Sequence, residues 1–300
     1  MNKKTFKTVL STVAAAVALS ACTMIPKYEQ PQVEVAETFK YDTFDDGIRA
    51  ADLGWQDFFA DPRLHRLIDI ALERNTDLRT AALNAEIYRK QYMIARNDLL
   101  PSINASGTGT RVGSLSGGVT RSEYTVGLGA AAYELDLFGR VRSNSQAALQ
   151  GYFSVAANRD AAHLALIAAV AKAHFNELYA QESMALAQRV LKTRETTYKL
   201  SQMRHKAGVI SAVDLRQQEA LIESAKADYA NAVKNREQAR NALATLINQP
   251  LPEDLPAALP LSKQFKITRL PAGLSSEVLL NRPDIRAAEH SLKQANANIG

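Results

Sequence analysis

Helix-breaking residues are almost absent from the middle of this chain. The 300 residues include 10 prolines, but none lies between Pro101 and Pro250. The segment 140–249 holds only two glycines, Gly151 and Gly208. Strands and turns need proline or glycine at much shorter intervals, so this segment cannot be a series of short strands. We predict that it is long helix and that the chain as a whole is mainly α.

The beginning of the chain has the pattern of a secretory signal peptide. Lys3, Lys4 and Lys7 precede an apolar run at about 9–19, and small residues follow. The apolar run is shorter than the roughly 20 residues that a membrane-spanning helix needs. We therefore predict that residues 1–21 are a removable leader.

The single cysteine of the chain, Cys22, follows this leader directly. It is preceded by Leu19, Ser20 and Ala21, and Leu-Ser-Ala-Cys in this position resembles the lipobox of bacterial lipoproteins. We predict that Cys22 is lipidated; the alternative is an ordinary signal peptide followed by a chance cysteine. By resemblance to lipoprotein sorting, a non-acidic residue at Thr23 predicts an anchor in the outer membrane. Lipidation of the sole cysteine leaves no disulfide.

The net charge argues against a nucleic-acid partner. The formal charge is +5, but loss of three lysines with the leader leaves +2. No basic stretch is interleaved with aromatic residues, as nucleic-acid binders commonly require. The composition, 46% hydrophobic and 22% charged, excludes a disordered chain and allows a buried core.

Residues 22–60 are predicted to be a polar, extended tether that leads from the anchor to the first helix. That helix is predicted to begin at Asp61, which suits the N-cap position, with Pro62 as its first helical residue. Helical periodicity then continues to about Asn97. The segment 61–99 is therefore predicted to be helical throughout.

The pattern changes in residues 100–138. Residues 101–113 are rich in Ser, Thr and Gly, and residues 124–137 alternate with a period of two. The segments 101–113 and 124–137 are predicted strands, and 114–121 is the loop of a hairpin. Each strand has the length that a tilted strand needs to cross a bilayer. Taken alone, the strands fit a soluble hairpin better. If they span lipid, other segments or other chains must complete a barrel, because an open edge is not tolerated there.

Residues 139–248 are predicted to form a long helical hairpin. The first helix, 140–206, would be roughly 100 Å long at 1.5 Å per residue. Gly208 follows it in the position of a capping glycine. Ser211 and Asp214 have the spacing of a capping box and would open the second helix.

Apolar residues form a stripe along each helix of this hairpin. The stripe on the first helix comprises Leu164, Ile167, Ala171, Phe175 and Leu178. The seam on the second helix comprises Leu215, Gln218, Ile222, Ala225, Tyr229, Ala232, Arg236, Ala239, Leu243 and Leu246. Spacings of three and four predict an antiparallel coiled coil whose second leg ends near Asn248. Alanines on the other faces fit either close packing against further helices or simple helix propensity.

The end of the chain contains a connector and the beginning of a further helix. Four prolines end the second helix, so 249–280 is predicted to be an extended connector. In 281–300, the segment 282–286 faintly echoes 76–79 and indicates the start of a second repeat. A helix is predicted from Asp284, and the chain is expected to be a truncated piece of a longer protein.

Two partial motifs fail as cofactor or metal sites. Gly127, Gly129 and Ala132 match part of a dinucleotide-binding motif, but no helix is predicted to open after them, so strand glycines are the better interpretation. His163 and His174 share a helix face, but about 16 Å separates them, which is too far for one metal.

A cluster of charged residues follows the second predicted strand. Glu134 and Asp136 would share a strand face beside Arg140 and Arg142. We interpret them as a salt-bridge cluster at the strand end rather than as an acid and base pair. With no nucleophile, metal site or cofactor motif, the chain is predicted not to be an enzyme and to need no cofactor beyond the lipid on Cys22.

Several short motifs are specific when they are taken in combination. Besides the lipobox and tether, they are Trp55 with Phe58, Asp61-Pro62, Asn75-Thr76-Asp77-Leu78, the run Tyr-Glu-Leu-Asp-Leu-Phe-Gly-Arg at 133–140, Lys206-Ala207-Gly208 with Ser211 and Asp214-Leu215, and Arg282-Pro283-Asp284. Together they resemble the outer-membrane factor family, the TolC-like channels of tripartite efflux pumps. The resemblance extends from the leader to the end of the chain.

This resemblance implies a mainly α fold with a membrane β-hairpin. In the family, three internally duplicated protomers share a 12-stranded outer-membrane β-barrel and a long coiled-coil α-barrel that crosses the periplasm. The chain would be a truncated protomer that contains the first repeat. The hairpin at 100–138 would lie in the outer membrane and 139–248 in the periplasm. The segment 61–99 would be a helix of the equatorial region or α-barrel, and 249–280 would be the equatorial connector.

The resemblance also implies a function and partners. The protein would be the exit channel of a multidrug efflux pump, a passive conduit for drugs and other amphiphiles. It would form a homotrimer in outer-membrane lipid and work with a periplasmic adaptor (membrane fusion) protein and an inner-membrane transporter of the RND type. The alternatives are a non-conducting coiled-coil envelope lipoprotein and an outer-membrane channel for type I protein secretion.

The turn between the two long helices would be the periplasmic tip that docks on the adaptor. Its candidate contact residues are Ala207, Gly208, Val209, Ile210, Ser211 and Asp214.

Overall fold

The computed structural model describes residues 23–30, 53–113, 121–130, 133–267 and 276–300. The helices are α1 (Trp55–Phe58), α2 (Pro62–Arg74), α3 (Thr76–Asn97), α4 (Arg140–Lys206), α5 (Ala212–Leu246) and α6 (Pro283–Ala297). The strands are β1 (Ile103–Val112) and β2 (Arg121–Ala130), and short 3-10 helices occupy Leu261–Lys263 and Ser276–Asn281. Among the described residues, no helix combines the length and apolar character needed to cross a membrane.

The chain divides into two compact units. The first comprises residues 1–34, 82–158 and 282–300, and the second comprises 35–81 and 159–281. The predicted leader, Cys22 and most of the predicted tether lie outside the described residues.

Helix α2 begins as its sequence predicts. The Asp61 carboxylate accepts a hydrogen bond from the Arg63 backbone N–H at 2.9 Å, and Pro62 occupies the first helical position. The prediction of one continuous helix to Asn97 is wrong, because α2 ends at Arg74. Asn75 has extended backbone, and its side-chain oxygen caps the next helix by accepting from the N–H groups of Asp77 and Leu78.

The strands β1 and β2 form a two-stranded antiparallel sheet. Ile103 pairs with Ala130 at one end of the sheet and Val112 pairs with Arg121 at the other. The second strand is shifted toward the N-terminus relative to its predicted range, 124–137. Residues 133–137 are not strand. Continuing the register would place them opposite residues 96–100, which form the end of α3 and a turn and cannot serve as a partner strand.

The long helical hairpin has the predicted limits at its turn. Helix α4 runs from Arg140 to Lys206, and Gly208 follows it with a φ of 72°. Such a φ favours glycine because a Cβ would crowd the backbone. Ser211 then caps α5, whose last residue is Leu246 rather than the predicted Asn248.

The predicted seam of α5 is confirmed by burial. All ten of its residues are buried or half-buried, and Ile222, Ala225 and Leu243 are the most enclosed. The stripe on α4 is confirmed in part, since Ile167, Ala171 and Leu178 are buried. Leu164 is 54% exposed, contrary to the prediction.

The core of the second unit lies where α2 packs against α4 and α5. It consists of Phe59, Leu64, Leu67, Ile68, Ile70, Ala71, Leu166, Ile167, Val170, Ala171, Leu243 and Ile247. Aromatic rings extend it, because a β-bridge joins Phe59 to Phe265 and their rings contact those of Phe58 and Phe175. Residues that are nearly two hundred positions apart in sequence therefore meet in one core.

In the first unit, α6 packs on the beginning of α4. The Ser154 hydroxyl donates to the carbonyl of Ala287 at 3.0 Å. A Cβ at Gly151 would lie 3.1 Å from the Gln294 side chain, so glycine allows the two helices to approach closely. The extended segment 23–30 is held in the same unit, since Asn296 donates to the carbonyl of Pro26 at 2.9 Å. Helix α6 begins at Pro283, one residue before the predicted start.

Candidate functional sites

The turn between α4 and α5 has a fully defined backbone geometry. The N–H of Gly208 donates to the carbonyl of His205 and that of Val209 to the carbonyl of Arg204, both at 2.9 Å. This pair of bonds is a Schellman motif, which satisfies the last carbonyls of the helix. On the other side, Ser211 and Asp214 are joined in both directions by capping-box hydrogen bonds of 3.1 Å.

The candidate contact residues lie on the surface of this turn. Ala207, Gly208, Ser211 and Asp214 are exposed, as is Val209, and Ile210 is half-buried. Hydrogen bonds from Ser211 lower the pKa of Asp214 below its ordinary range, so this carboxylate is ionised at neutral pH. The turn thus presents apolar side chains and one anion on a hydrogen-bonded backbone, and these features suit a docking surface.

The β-hairpin has two chemically different faces. Because paired residues share a face, the register places Ala105 with Leu128 and Gly107 with Val126 on an apolar face. The opposite face carries polar side chains. They are Asn104, Ser106, Thr108, Thr110, Arg121, Glu123 and Thr125, and Val112 at the loop end also lies on this face. One apolar and one polar face on strands of 10 residues is the pattern of a membrane barrel.

A buried polar cluster surrounds the carboxylate of Asp61, which is fully enclosed. Its Oδ2 atom lies 3.0 Å from His174 Nε2 and accepts from Gln264 Nε2 at 2.9 Å and from the backbone N–H of Leu259 at 3.1 Å. Its Oδ1 atom accepts from the Arg63 N–H. One carboxylate therefore joins α2, α4 and the connector that follows α5.

The cluster continues through His174 to a second buried carboxylate, Glu177. Arg63 binds both carboxylate oxygens of Glu177 at 3.1 Å, and Arg240 of α5 lies 4.0 Å from the same group. His174 Nδ1 is 4.0 Å from Glu177 and has no hydrogen-bond partner within the described residues. These contacts bind α2, α4 and α5 together on their polar side.

The protonation states of the cluster follow from burial and hydrogen bonding. Burial raises the pKa of Asp61, but hydrogen bonds from Gln264, His174 and Arg63 outweigh burial and lower that pKa below its ordinary value. Burial lowers the pKa of His174, even though the Asp61 carboxylate favours the charged ring. At neutral pH the cluster therefore contains an ionised Asp61 and a neutral His174 that donates to it.

This neutral histidine predicts a loss of stability in mild acid. Unfolded His174 takes up a proton as the pH falls below about 6.5, but the folded ring resists it, so protons favour the unfolded state. We expect the melting temperature of the wild type to fall across this range. In His174→Gln, which cannot titrate, the slope of melting temperature against pH should be smaller. Equal slopes would contradict the assignment.

The sequence missed this cluster as a unit. Asp61 was identified only as a helix cap and His174 only as an ordinary histidine. The motif Asp61-Pro62 was the signal for this cluster. A capping carboxylate accepts from the helix with one oxygen, and its other oxygen remains available to donors from distant segments.

The charged residues after β2 form ion pairs, as predicted, although they do not lie on a strand. Glu134 pairs with Arg140, and Asp136 lies 3.2 Å from Arg142. Asp136 also accepts from the backbone N–H groups of Val141 and Arg142, so it stabilises the beginning of α4. The pairs are structural.

Two further sequence patterns concern cofactor and metal binding. Gly127 and Gly129 are strand residues of β2, and Ala132 lies outside the described residues. In the described ranges, no three His, Cys, Asp or Glu side chains are grouped so that they could hold a metal ion.

The chain was compared with known protein families and sequences. The family profile described as "Outer membrane efflux protein" matches residues 67–249. The chain is 40% identical over 306 residues to the probable efflux pump outer membrane protein TtgC of Pseudomonas putida KT2440, with 98% of the chain covered. It is 38% identical over 302 residues to the outer membrane protein OprJ of Pseudomonas aeruginosa PAO1, with 97% covered.

Comparison with solved structures gives the same family. The MtrE outer membrane channel of Neisseria gonorrhoeae, solved in its open state, superposes with a TM-score of 0.79 at 72% sequence identity over 92% of the chain. Among individual family members, the sequence motifs also resemble the channel of the Mtr multidrug efflux system, and this comparison agrees with that resemblance.

The chain spans less than two thirds of the length of these relatives. It covers 63% of TtgC, 62% of OprJ and 62% of the MtrE chain. The described fold is that of the TolC-like channels, mainly helical with a small sheet. The family match covers more than half of the chain, and two relatives exceed one third identity over nearly all of it. The chain belongs to the outer membrane efflux protein family.

Proposed function

We propose that the protein is the outer-membrane exit channel of a tripartite multidrug efflux pump. It provides a passive conduit for drugs and other amphiphiles from a periplasmic adaptor and an inner-membrane transporter of the RND type to the exterior. The observation that carries this proposal is the two-faced β-hairpin. An apolar face toward lipid and a polar face toward a lumen are what a conducting barrel requires.

The hairpin also supports assembly into a homotrimer. Its two strands pair only with each other in the described structure, so each has an open edge. An open edge in lipid leaves backbone groups unsatisfied at a cost of several kcal/mol each. Strands from other segments and from other copies of the chain would close the barrel.

Exposed apolar side chains on the long helices point the same way. Leu186, Leu200 and Met203 on α4 are more than half exposed. In the proposed trimer, neighbouring helices of the periplasmic α-barrel would cover them. The relative TtgC, named as a probable efflux pump outer membrane protein, supports the proposed role in efflux by family membership.

Ion conductance in planar bilayers tests the proposal. The purified protein, in its assembled form, is expected to conduct, and replacing the lumen-facing Thr108 with arginine should change its cation selectivity. A well-folded trimer that never conducts would refute the channel and favour the alternative of a non-conducting coiled-coil envelope lipoprotein. Loss of protein secretion rather than of drug resistance in a deletion strain would favour a type I secretion channel.

The lipid anchor is a separate proposal with its own test. We expect Cys22→Ala to abolish incorporation of labelled palmitate, because Cys22 is the only thiol in the chain. Val9→Ala, in the leader but outside the lipobox, serves as a control and should remain labelled. Unchanged labelling of Cys22→Ala would refute lipidation at this position.

The tip turn is proposed to dock on the adaptor, and Gly208 is the residue to change. Its positive φ means that Gly208→Arg costs about 1–2 kcal/mol of backbone strain and places a bulky cation on the turn. A Cβ at this position would have no atom within 4 Å, so the fold should tolerate the change. We expect weaker adaptor binding and greater drug susceptibility, while trimers persist on native gels.

A matched variant separates docking from backbone strain at this turn. Gly208→Asn should behave almost as the wild type, because asparagine tolerates this backbone conformation and adds no charge. Wild-type drug resistance in the Gly208→Arg strain would count against docking at the tip.

A further inference from the structure

One charged residue lies on the apolar face of the β-hairpin. Arg111 pairs with Ser122, and this pair shares its face with the pair Gly109 and Tyr124. Further along the same face, Val126 and Leu128 are each more than 80% exposed. A charge on an otherwise apolar, outward-facing row requires a physical reason.

The aromatic neighbour of Arg111 on this face, Tyr124, lies against the opposite strand. The ring of Tyr124 lies over Gly109, since a Cβ at Gly109 would be only 3.2 Å from two ring atoms. The ring therefore covers the glycine and stays on the apolar face. Tyrosine rings on this face of membrane barrels lie at the interface between hydrocarbon and headgroups. Arg111 lies one pair further toward the loop.

The length of the strand puts Arg111 at the membrane boundary. Ile103 and Arg111 are eight positions apart, which is about 27 Å along a strand at about 3.4 Å per residue. A strand tilt of about 40° reduces this rise to about 21 Å, close to the roughly 25 Å apolar band of such barrels. If Ile103 lies at the helix-side boundary, Arg111 lies among the headgroups on the loop side.

The charge of Arg111 has no counterion on its own face. The residues that share the face in β1 and β2 include no acid, and Arg111 forms no ion pair within the described part of the chain. Arg121, which pairs with Val112, lies on the polar face, which also carries Glu123. On the apolar face, the charge of the Arg111 guanidinium therefore requires an anion from outside the hairpin.

We propose that Arg111 and Tyr124 bind the phosphorylated headgroup of a membrane lipid in the leaflet at the loop end of the hairpin. The guanidinium makes paired hydrogen bonds to phosphate oxygens, and the tyrosine hydroxyl adds a donor beside it. The apolar row below them contacts the acyl chains of the same molecule. A free phosphate could accept both hydrogen bonds but would leave the apolar row without a partner, so the ligand is a lipid. The inference rests on the proposed channel, whose hairpin spans the membrane.

Lipid binding by matched arginine variants tests the inference. The assembled wild-type protein, Arg111→Gln and Arg121→Gln are titrated with diphosphoryl lipid A and with its dephosphorylated form, and bound lipid is counted by native mass spectrometry. Arg111→Gln should weaken binding of the phosphorylated lipid about fivefold, the effect expected for one arginine at an anionic surface. Arg121→Gln removes the same charge from the other face, one pair closer to the loop, and should bind as the wild type.

Further arms define the result that would overturn the inference. Arg111→Lys should recover part of the binding, the dephosphorylated lipid should not distinguish the variants, and excess inorganic phosphate should not displace lipid A. Equal losses in Arg111→Gln and Arg121→Gln, or no loss in either, would overturn it. Conductance separates the two proposals, because a conducting Arg111→Gln with unchanged lipid binding refutes only the headgroup site. A folded wild-type trimer that does not conduct refutes the channel.

Discussion

Replacing Asp61 with alanine is expected to lower the free energy of unfolding by about 3–5 kcal/mol, the cost of removing one partner from a buried charged network. Its fully buried carboxylate accepts hydrogen bonds from Arg63, His174, Leu259 and Gln264. Alanine would leave the N–H groups of Arg63, His174 and Leu259 without this acceptor, and Gln264 would keep only its hydrogen bond to the carbonyl of Leu259. Each stranded buried donor costs about 1–3 kcal/mol before relaxation.

Denaturant unfolding followed by far-UV circular dichroism measures this effect. Asp57→Ala is the matched control, because Asp57 is an exposed aspartate four residues earlier. Its loss should stay within about 0.5 kcal/mol, as is usual at the surface. Asp61→Asn is expected to fall between the two, since its amide keeps one acceptor oxygen but turns two N–H donors toward the cluster. If Asp61→Ala is as stable as Asp57→Ala, the cluster does not hold the unit together.

Replacing Leu243 with alanine is expected to cost about 2–5 kcal/mol. Leu243 of α5 is fully buried in the core that α2 and α4 share with it. Truncation to alanine removes apolar contacts and leaves a cavity that packed helices cannot collapse to fill. The loss should appear as a lower denaturant midpoint with an unchanged slope, because the surface exposed on unfolding remains the same.

A second leucine on α5 provides the control for this truncation. Leu221 is 40% exposed, so Leu221→Ala should cost less than about 1 kcal/mol in the isolated chain. If the loss at Leu221 equals or exceeds that at Leu243, then the core of this unit lies elsewhere. In the assembled protein, a larger loss at Leu221 than in the isolated chain would mean that a neighbouring helix covers it.

The elements that the sequence predicted well are those decided within a few residues. The limits of α4, the glycine turn at Gly208 and the capping box of Ser211 with Asp214 each depend on hydrogen bonds between residues at most six positions apart. The seam of α5 follows from its spacing of apolar residues, which repeats each turn of the helix. Such patterns can be recognised without knowledge of the fold.

The elements that the sequence predicted poorly depend on distant partners or on competition between neighbours. Asn75 interrupts the first predicted helix because its side chain caps α3 and also donates to the carbonyl of Leu246, 171 positions away. The second strand does not include residues 133–137, because the register would place them opposite residues 96–100, the end of α3 and a turn. Leu164 fits the apolar stripe by spacing, yet no side chain of the described chain covers it well enough to bury it.

By itself the sequence determined the mainly helical class, the two-stranded hairpin, the helix caps and the family, because these depend on local spacing and on motifs. Only the tertiary structure decided which polar groups meet. Asp61 binds His174 and Gln264, 113 and 203 positions away, and Arg111 shares a face with Tyr124 through strand register. The physical reason is that periodicity places a side chain on a face, whereas its partner is chosen by how distant segments pack and pair.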